Sequence, residues 1–131
     1  RKYEVPVKNL PTVLKNEAID YLKDDCGGVV VKLDKGIIVF SSCSHSGVNN
    51  IVEQAKRITG EDRVVAVVGG FHLNTINLYT QQIIQYFKDN NIEKAYMGHC
   101  TSDEVIEYFK EQLRGITQVE KLFAGAIFEI N

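Results

Sequence analysis

From Ile37 onward the chain repeats one unit three times: an apolar strand, a loop of small residues that holds a histidine, and an amphipathic helix. That alternation constrains the fold more than anything else in the sequence, because strands joined by helical crossovers pair in parallel and the crossover is right-handed. Strand Ile37–Ser41 runs into Ser42-Cys43-Ser44-His45-Ser46-Gly47 and a helix over about 48–59, with Val48, Ile51, Val52, Ala55 and Ile58 at helical spacing and Gly60 as the stop. Strand Val64–Val68 leads to Gly69-Gly70-Phe71-His72, then to a helix over about 78–90 presenting Ile83, Ile84, Tyr86 and Phe87. Strand Lys94–Met97 leads to Gly98-His99-Cys100. There Thr101 and Glu104 read as a capping box for a helix that carries Val105, Ile106, Tyr108 and Phe109 and ends near Gly115.

Ahead of these units, Val29–Leu33 and Ile37–Phe40 flank Asp34-Lys35-Gly36, the pattern of a β-hairpin. A strand pair over about 118–121 and 126–130 is expected to finish the chain. The predicted class is α/β (α+β): a mixed sheet with helices on one face. Val64–Val68 is apolar on both sides, as strands covered on both faces are. The helices can cover one face, so a second layer is expected on the other. Residues 1–27 form a poorly defined N-terminal segment, with turns at Pro6 and Pro11 and a short helix or edge strand over Glu17–Lys23; 28–131 form the folded unit. The chain starts at Arg1 and its only methionine is Met97, so it reads as a piece of a longer protein.

Composition excludes more than it identifies. A 131-residue chain with 44% hydrophobic and 24% charged residues fits one globular core. A formal net charge of −2, with both signs interspersed, gives no basis for nucleic-acid binding. No apolar run approaches the roughly 20 residues that span a bilayer, and no targeting signal opens the chain. The expected setting is cytoplasmic, without membrane contact, and the expected partner is a small molecule or another polypeptide. Three cysteines, Cys26, Cys43 and Cys100, leave at least one unpaired, which suits a reducing compartment.

All three histidines, His45, His72 and His99, follow strand ends at equal spacing. Loops at the carboxyl edge of a parallel sheet line up where ligands bind, so the three imidazoles are expected to surround one pocket. Imidazole ligates first-row divalent metals: zinc first, with iron or manganese as alternatives. A single histidine of this kind is usually surface or core; three at equivalent positions favour ligation. A hydrolytic centre also uses carboxylates, and none sits in these loops.

Three motifs, Ser42-Cys43-Ser44-His45-Ser46-Gly47-Val48-Asn49-Asn50, Val68-Gly69-Gly70-Phe71-His72-Leu73 and Met97-Gly98-His99-Cys100-Thr101, resemble successive signatures of metallo-β-lactamase-fold proteins. In particular they resemble the branch of the dihydropterin ribofuranosylaminobenzene phosphate synthases. The resemblance covers about residues 28–130 and includes Gly125-Ala126-Ile127-Phe128-Glu129-Ile130 as a last strand. Ser42 and Ser102 stand where that branch usually has glycine. It implies the C-terminal half of an αββα sandwich. The superfamily's hallmark His-x-His-x-Asp-His is absent from this sequence.

By that resemblance His45 and His99 would join hallmark residues on two metals, and His72 would bind a metal or contact substrate. Backbone amides around Ser46 and Gly47, opening a helix, would favour an anionic or phosphorylated substrate. Phe71 and Tyr79 would be pocket walls or plain packing. Cys43 and Cys100 read as core thiols, since no Cys-x-x-Cys pair accompanies them. The implied activity is that of a metal-dependent hydrolase or phosphate-releasing transferase, inactive in this chain alone, with weak metal binding until the N-terminal half completes the site. Two other readings compete. One is a non-catalytic binding or scaffold module associating through its sheet face, with the missing N-terminal half or a second copy of the chain as occupant. The other is a redox role like that of the diiron flavoproteins, which the shortage of carboxylates disfavours.

Overall fold

A computed structural model describes residues 27–130, together with the antiparallel pairing of the short strands β1 (Val13–Leu14) and β2 (Glu17–Ala18). The turns expected at Pro6 and Pro11, most of the Glu17–Lys23 segment, and Cys26 lie outside the described residues.

The main sheet has five strands in chain order: β3 (Gly28–Leu33), β4 (Gly36–Ser41), β5 (Val64–Gly70), β6 (Lys94–Gly98) and β7 (Gln118–Lys121). β3 and β4 form the expected antiparallel hairpin, with Val31 opposite Ile38 and Val29 opposite Phe40. The remaining pairings are parallel, β4 with β5, β5 with β6 and β6 with β7. Helices α1 (Val48–Thr59), α2 (Leu78–Asp89) and α3 (Asp103–Gln112) supply the crossovers. The molecule is thus α+β, with a mixed five-stranded sheet and three helices.

All three helices pack on one face, as the periodicity implied. Their apolar stripes, among them Val52, Ile83, Phe87, Val105 and Phe109, meet Ile37, Val39, Val64, Val67, Ala95 and Met97 in one cluster. Gly60, in the left-handed region, ends α1 by donating to Lys56 O. The start of α3 differs from the expected box. Ser102 is the N-cap, its side chain accepting from the Val105 amide at 3.3 Å. Thr101 is buried, and its Oγ1 accepts from the Phe71 amide at 3.1 Å. The hydroxyl that looked like a cap is therefore spent tying two strand-end loops together.

The opposite face also differs from expectation. Ile38, Ala66 and Tyr96 are buried beneath Leu122, Phe128 and Ile130, with the Phe128 ring centroid 4.1 Å from that of Tyr96. The segment 126–130, expected as a strand, adds no rung to the sheet and lies across its face instead. Stacking on Tyr96 buries an aromatic ring, which pairing along the edge of β7 would leave in water. Further along this face, at the β3–β4 edge, Val29 (63% exposed), Val31, Leu33 and Phe40 (39% exposed) remain open to solvent.

Candidate metal centre

β4, β5 and β6 are parallel, so their carboxyl ends and the loops that follow share one edge of the sheet. A close-set hydrogen-bond lattice ties these loops to one another. On the β4 side, Gly70 N donates to Ser42 O at 2.8 Å, and Ser44 Oγ donates to Gly70 O at 2.6 Å. On the β6 side, Phe71 N donates to Thr101 Oγ1, His72 N to Cys100 Sγ at 3.2 Å, and Ser102 N to Leu73 O at 2.9 Å. The end of β5 is laced to both neighbours.

Backbone strain concentrates here. Ser44 and His72 take φ of 58° and 51°, the left-handed region that L side chains rarely adopt, and each is held by the lattice just described. Two glycines make the close approach possible. A Cβ on Gly69, whose φ is 142°, would lie 2.0 Å from Ser41 O; one on Gly70 would lie 2.5 Å from both Cys100 Sγ and His99 Cε1. The His99 imidazole and the Cys100 thiol therefore rest directly on the Gly70 backbone.

The structure distributes the expected site residues into two groups. His45, half-buried, and His72, exposed, meet edge to face with ring centroids 4.5 Å apart. His99, exposed, instead joins two cysteines: Cys43 Sγ lies 3.0 Å from His99 Nε2, and Cys100 Sγ lies 3.6 Å from Cys43 O. The ligand atoms of Cys43, His99 and Cys100 all fall within 4.8 Å of one another; among the described residues no other group of three metal-capable side chains converges in this way. Burial pushes the Cys100 thiol up from its ordinary value; the His72 amide opposes this and the Cys43 thiol adds to it.

Both cysteines are half-buried rather than sealed in the core, and this differs from the reading of them as inert thiols. Sequence reasoning passed over them because it looked for a local Cys-x-x-Cys. The available signal was topological: β4 and β6 flank β5, whose terminal Gly69-Gly70 carries no side chains, so the loops after β4 and β6 can meet across its end.

The proposed substrate contacts fare unequally. Ser46 lines a groove with a cavity volume of about 280 Å³ between β3 and α1, beside Asn50, Ile51 and Gln54. The Gly47 amide already donates to Ser44 O at 2.9 Å, so it is not free to meet a ligand. Phe71 is 1% exposed and packs against Phe87 and Phe109, with centroids 5.9 and 6.3 Å away. Its side chain belongs to the core, while His72, just past the end of β5 and in the left-handed region, is exposed.

Asn49, the second residue of α1, is 1% exposed, and among the described residues neither amide atom finds a hydrogen-bond partner. The helix itself has no side-chain cap and no acidic residue in its first turn.

No protein-family model matches the chain. It is 34% identical over 112 residues, 85% of its length, to a 7,8-dihydropterin-6-methyl-4-(β-D-ribofuranosyl)-aminobenzene-5′-phosphate synthase of Methanocaldococcus jannaschii, and 31% identical over 102 residues to an uncharacterised protein of that organism. In each case it spans 37% of the relative's length. Among solved structures it superposes on Tm1679, a metal-dependent hydrolase of the β-lactamase superfamily, with a TM-score of 0.68 and 30% identity. That match covers 77% of this chain and 39% of the other.

Proposed function

We propose, on the premise that this chain shares the fold and sequence of part of the metallo-β-lactamase superfamily, that it is the metal-binding C-terminal half of a hydrolase or phosphate-releasing transferase. On this reading residues 28–131 supply His45, His99 and His72 to a centre that an N-terminal His-x-His-x-Asp-His segment completes. The substrate is a small, anionic or phosphorylated molecule. The observation that carries the reading is the sheet edge itself, where three strand-end loops are laced together and present three imidazoles and two thiols.

The residues fit a divalent ion. Around His99, its imidazole and the thiols of Cys43 and Cys100 lie within 4.8 Å of one another beside the bare Gly70 backbone, a donor set that suits zinc, and iron or manganese accept imidazoles such as those of His45 and His72. An ion bound there supplies a lowered pKa for water and a clamp on phosphate or carbonyl oxygen. The chain's own contribution is to hold and orient. Ser44 and the β5 terminus fix the loop that carries His45, and the Gly98–Thr101 turn fixes His99, with Thr101 N donating to Gly98 O at 3.0 Å. The uncapped amino end of α1 leaves its positive pole to an anionic group, with Ser46 at the rim of the neighbouring groove.

The test is complementation. Supplying a His-x-His-x-Asp-His segment in trans or as a fusion should give metal-dependent hydrolysis of a phosphate ester. His45→Ala and His99→Ala should each reduce the rate at least a hundredfold. Hydrolysis that survives both replacements would overturn the assignment. A second reading, a binding or scaffold module, draws on the exposed Val29, Val31 and Phe40; it is favoured if complementation yields a stable complex without turnover.

A further inference from the structure

We propose that Cys43 and Cys100 are metal ligands, forming with His99 a three-donor site, two thiolates and one imidazole, that holds one zinc-class ion in this chain without further segments. The inference rests on the reading of His99 as a ligand. It goes beyond that reading by assigning the two thiols and by making the chain competent to bind alone.

The geometry is that of a site open at one position. With metal–sulfur and metal–nitrogen bonds of about 2.3 and 2.0 Å, tetrahedral donors stand roughly 3.5–3.8 Å apart. Cys43 Sγ and His99 Nε2 are at 3.0 Å and all three donors lie within 4.8 Å, a spread that a central ion would even out by small side-chain rotations. His99 is exposed and both thiols are half-exposed, so an ion can enter and keep a fourth position for water or substrate. Three protein ligands plus an open position is the arrangement of catalytic zinc sites.

Two supports around the donors suit thiolates in particular. Cys100 Sγ accepts the His72 amide at 3.2 Å, and a backbone N–H directed at sulfur stabilises the charged form that binds metal. Gly70 offers bare backbone to the His99 ring and to Cys100 Sγ, where any side chain would displace one donor or the other. On binding, each thiol loses its proton to solvent and its sulfur lone pair goes to the ion. Sulfur donors select zinc, cobalt or cadmium over magnesium and calcium.

The experiment is a Co²⁺ titration of the reduced chain, followed by absorption. The expected result is a thiolate-to-cobalt charge-transfer band in the near-ultraviolet that saturates at one equivalent. Cys43→Ser and Cys100→Ser should each remove most of that band and weaken binding at least tenfold, with circular dichroism confirming that the variants fold. The His45→Ala/His72→Ala double variant should keep the band. In parallel, Zn²⁺ should slow alkylation of Cys43 and Cys100, read by mass spectrometry, by at least tenfold. Cobalt bound without a charge-transfer band, and lost in the His45→Ala/His72→Ala variant, would overturn the thiolate site while leaving the proposed function standing. No cobalt binding at all, with alkylation unaffected by zinc, would overturn the thiolate site as well, and complementation would then decide the proposed function separately.

Discussion

At the scale of single residues, the site depends on atoms that are not there. Gly70 carries no side chain, and Gly70→Ala would push a methyl group against Cys100 Sγ and His99 Cε1. Relieving that overlap should cost about 1–3 kcal/mol of stability, measured by urea unfolding, and should weaken Co²⁺ binding along with it. Asn49 poses the opposite problem, a buried polar side chain with no hydrogen-bond partner among the described residues. A buried unpaired donor or acceptor costs about 1–3 kcal/mol, so Asn49→Leu, of similar size and apolar, should leave the chain as stable or more so. Clear destabilisation would mean that the amide does have a partner in solution. Tyr96, buried under Phe128, has its hydroxyl pushed above the usual 10.0, by burial first and by the Glu120 carboxylate second. A raised pKa in the folded state contributes stability that is complete below pH 10.0 and is lost as pH climbs through the folded value. Thermal stability should therefore hold up to pH 10.0 and fall above it, and Glu120→Gln should bring tyrosinate absorption only part of the way back, since burial is the larger cause.

At the scale of elements, the helices and parallel strands were legible because their signal is local and periodic. Val48, Val52 and Ala55 mark the buried side of α1, and Gly60 marks its end, within the sequence of the helix itself. The cap of α3 was misplaced by one residue because Thr101 and Ser102 are equivalent as cap formers. Only the position of Phe71 N, some thirty residues away in the chain, decides which hydroxyl is used elsewhere. Ser102→Ala should therefore cost about 1 kcal/mol in chemical denaturation, whereas Glu104→Gln should be close to neutral. The last segment misled for a related reason. Ala126–Ile130 alternates like a strand, but its partner is the ring of Tyr96 rather than an edge backbone. The histidine loops were legible as a set, while the thiols were not. Their convergence with His99 is a property of strand order, which brings Cys43 within 3.0 Å of a residue 56 positions away.

At the scale of the whole molecule, one face of the sheet is finished and the other is only half finished. The helix face is a continuous core; the opposite face is roofed by Leu122, Phe128 and Ile130 over its centre and left bare at Val29, Val31, Leu33 and Phe40. Contiguous exposed apolar surface of this kind marks association on soluble proteins. Analytical ultracentrifugation should show self-association at micromolar concentration, and Val29→Lys/Phe40→Glu should abolish it without loss of secondary structure. A monomer unaffected by the double change would mean that the bare patch has no occupant of its own kind. No helix among the described residues is long and apolar enough to cross a membrane, so that role is not available to this surface through a helix.

The strand order β3-β4-β5-β6-β7 follows the order of the chain, and this shapes the folding of the molecule in time. Each new strand docks beside the one just made, across a hairpin turn or a single helical crossover, so none has to wait for a distant segment. Folding can thus advance as a zipper from the hairpin toward β7. The cluster of Cys43, His99 and Cys100 cannot, because Cys43 and His99 become neighbours only when β6 has seated against β5. In a stopped-flow refolding experiment with Co²⁺ present, helical circular dichroism should rise before the thiolate charge-transfer band. The lag between the two signals would time the arrival of the third strand-end loop at its place on the rim.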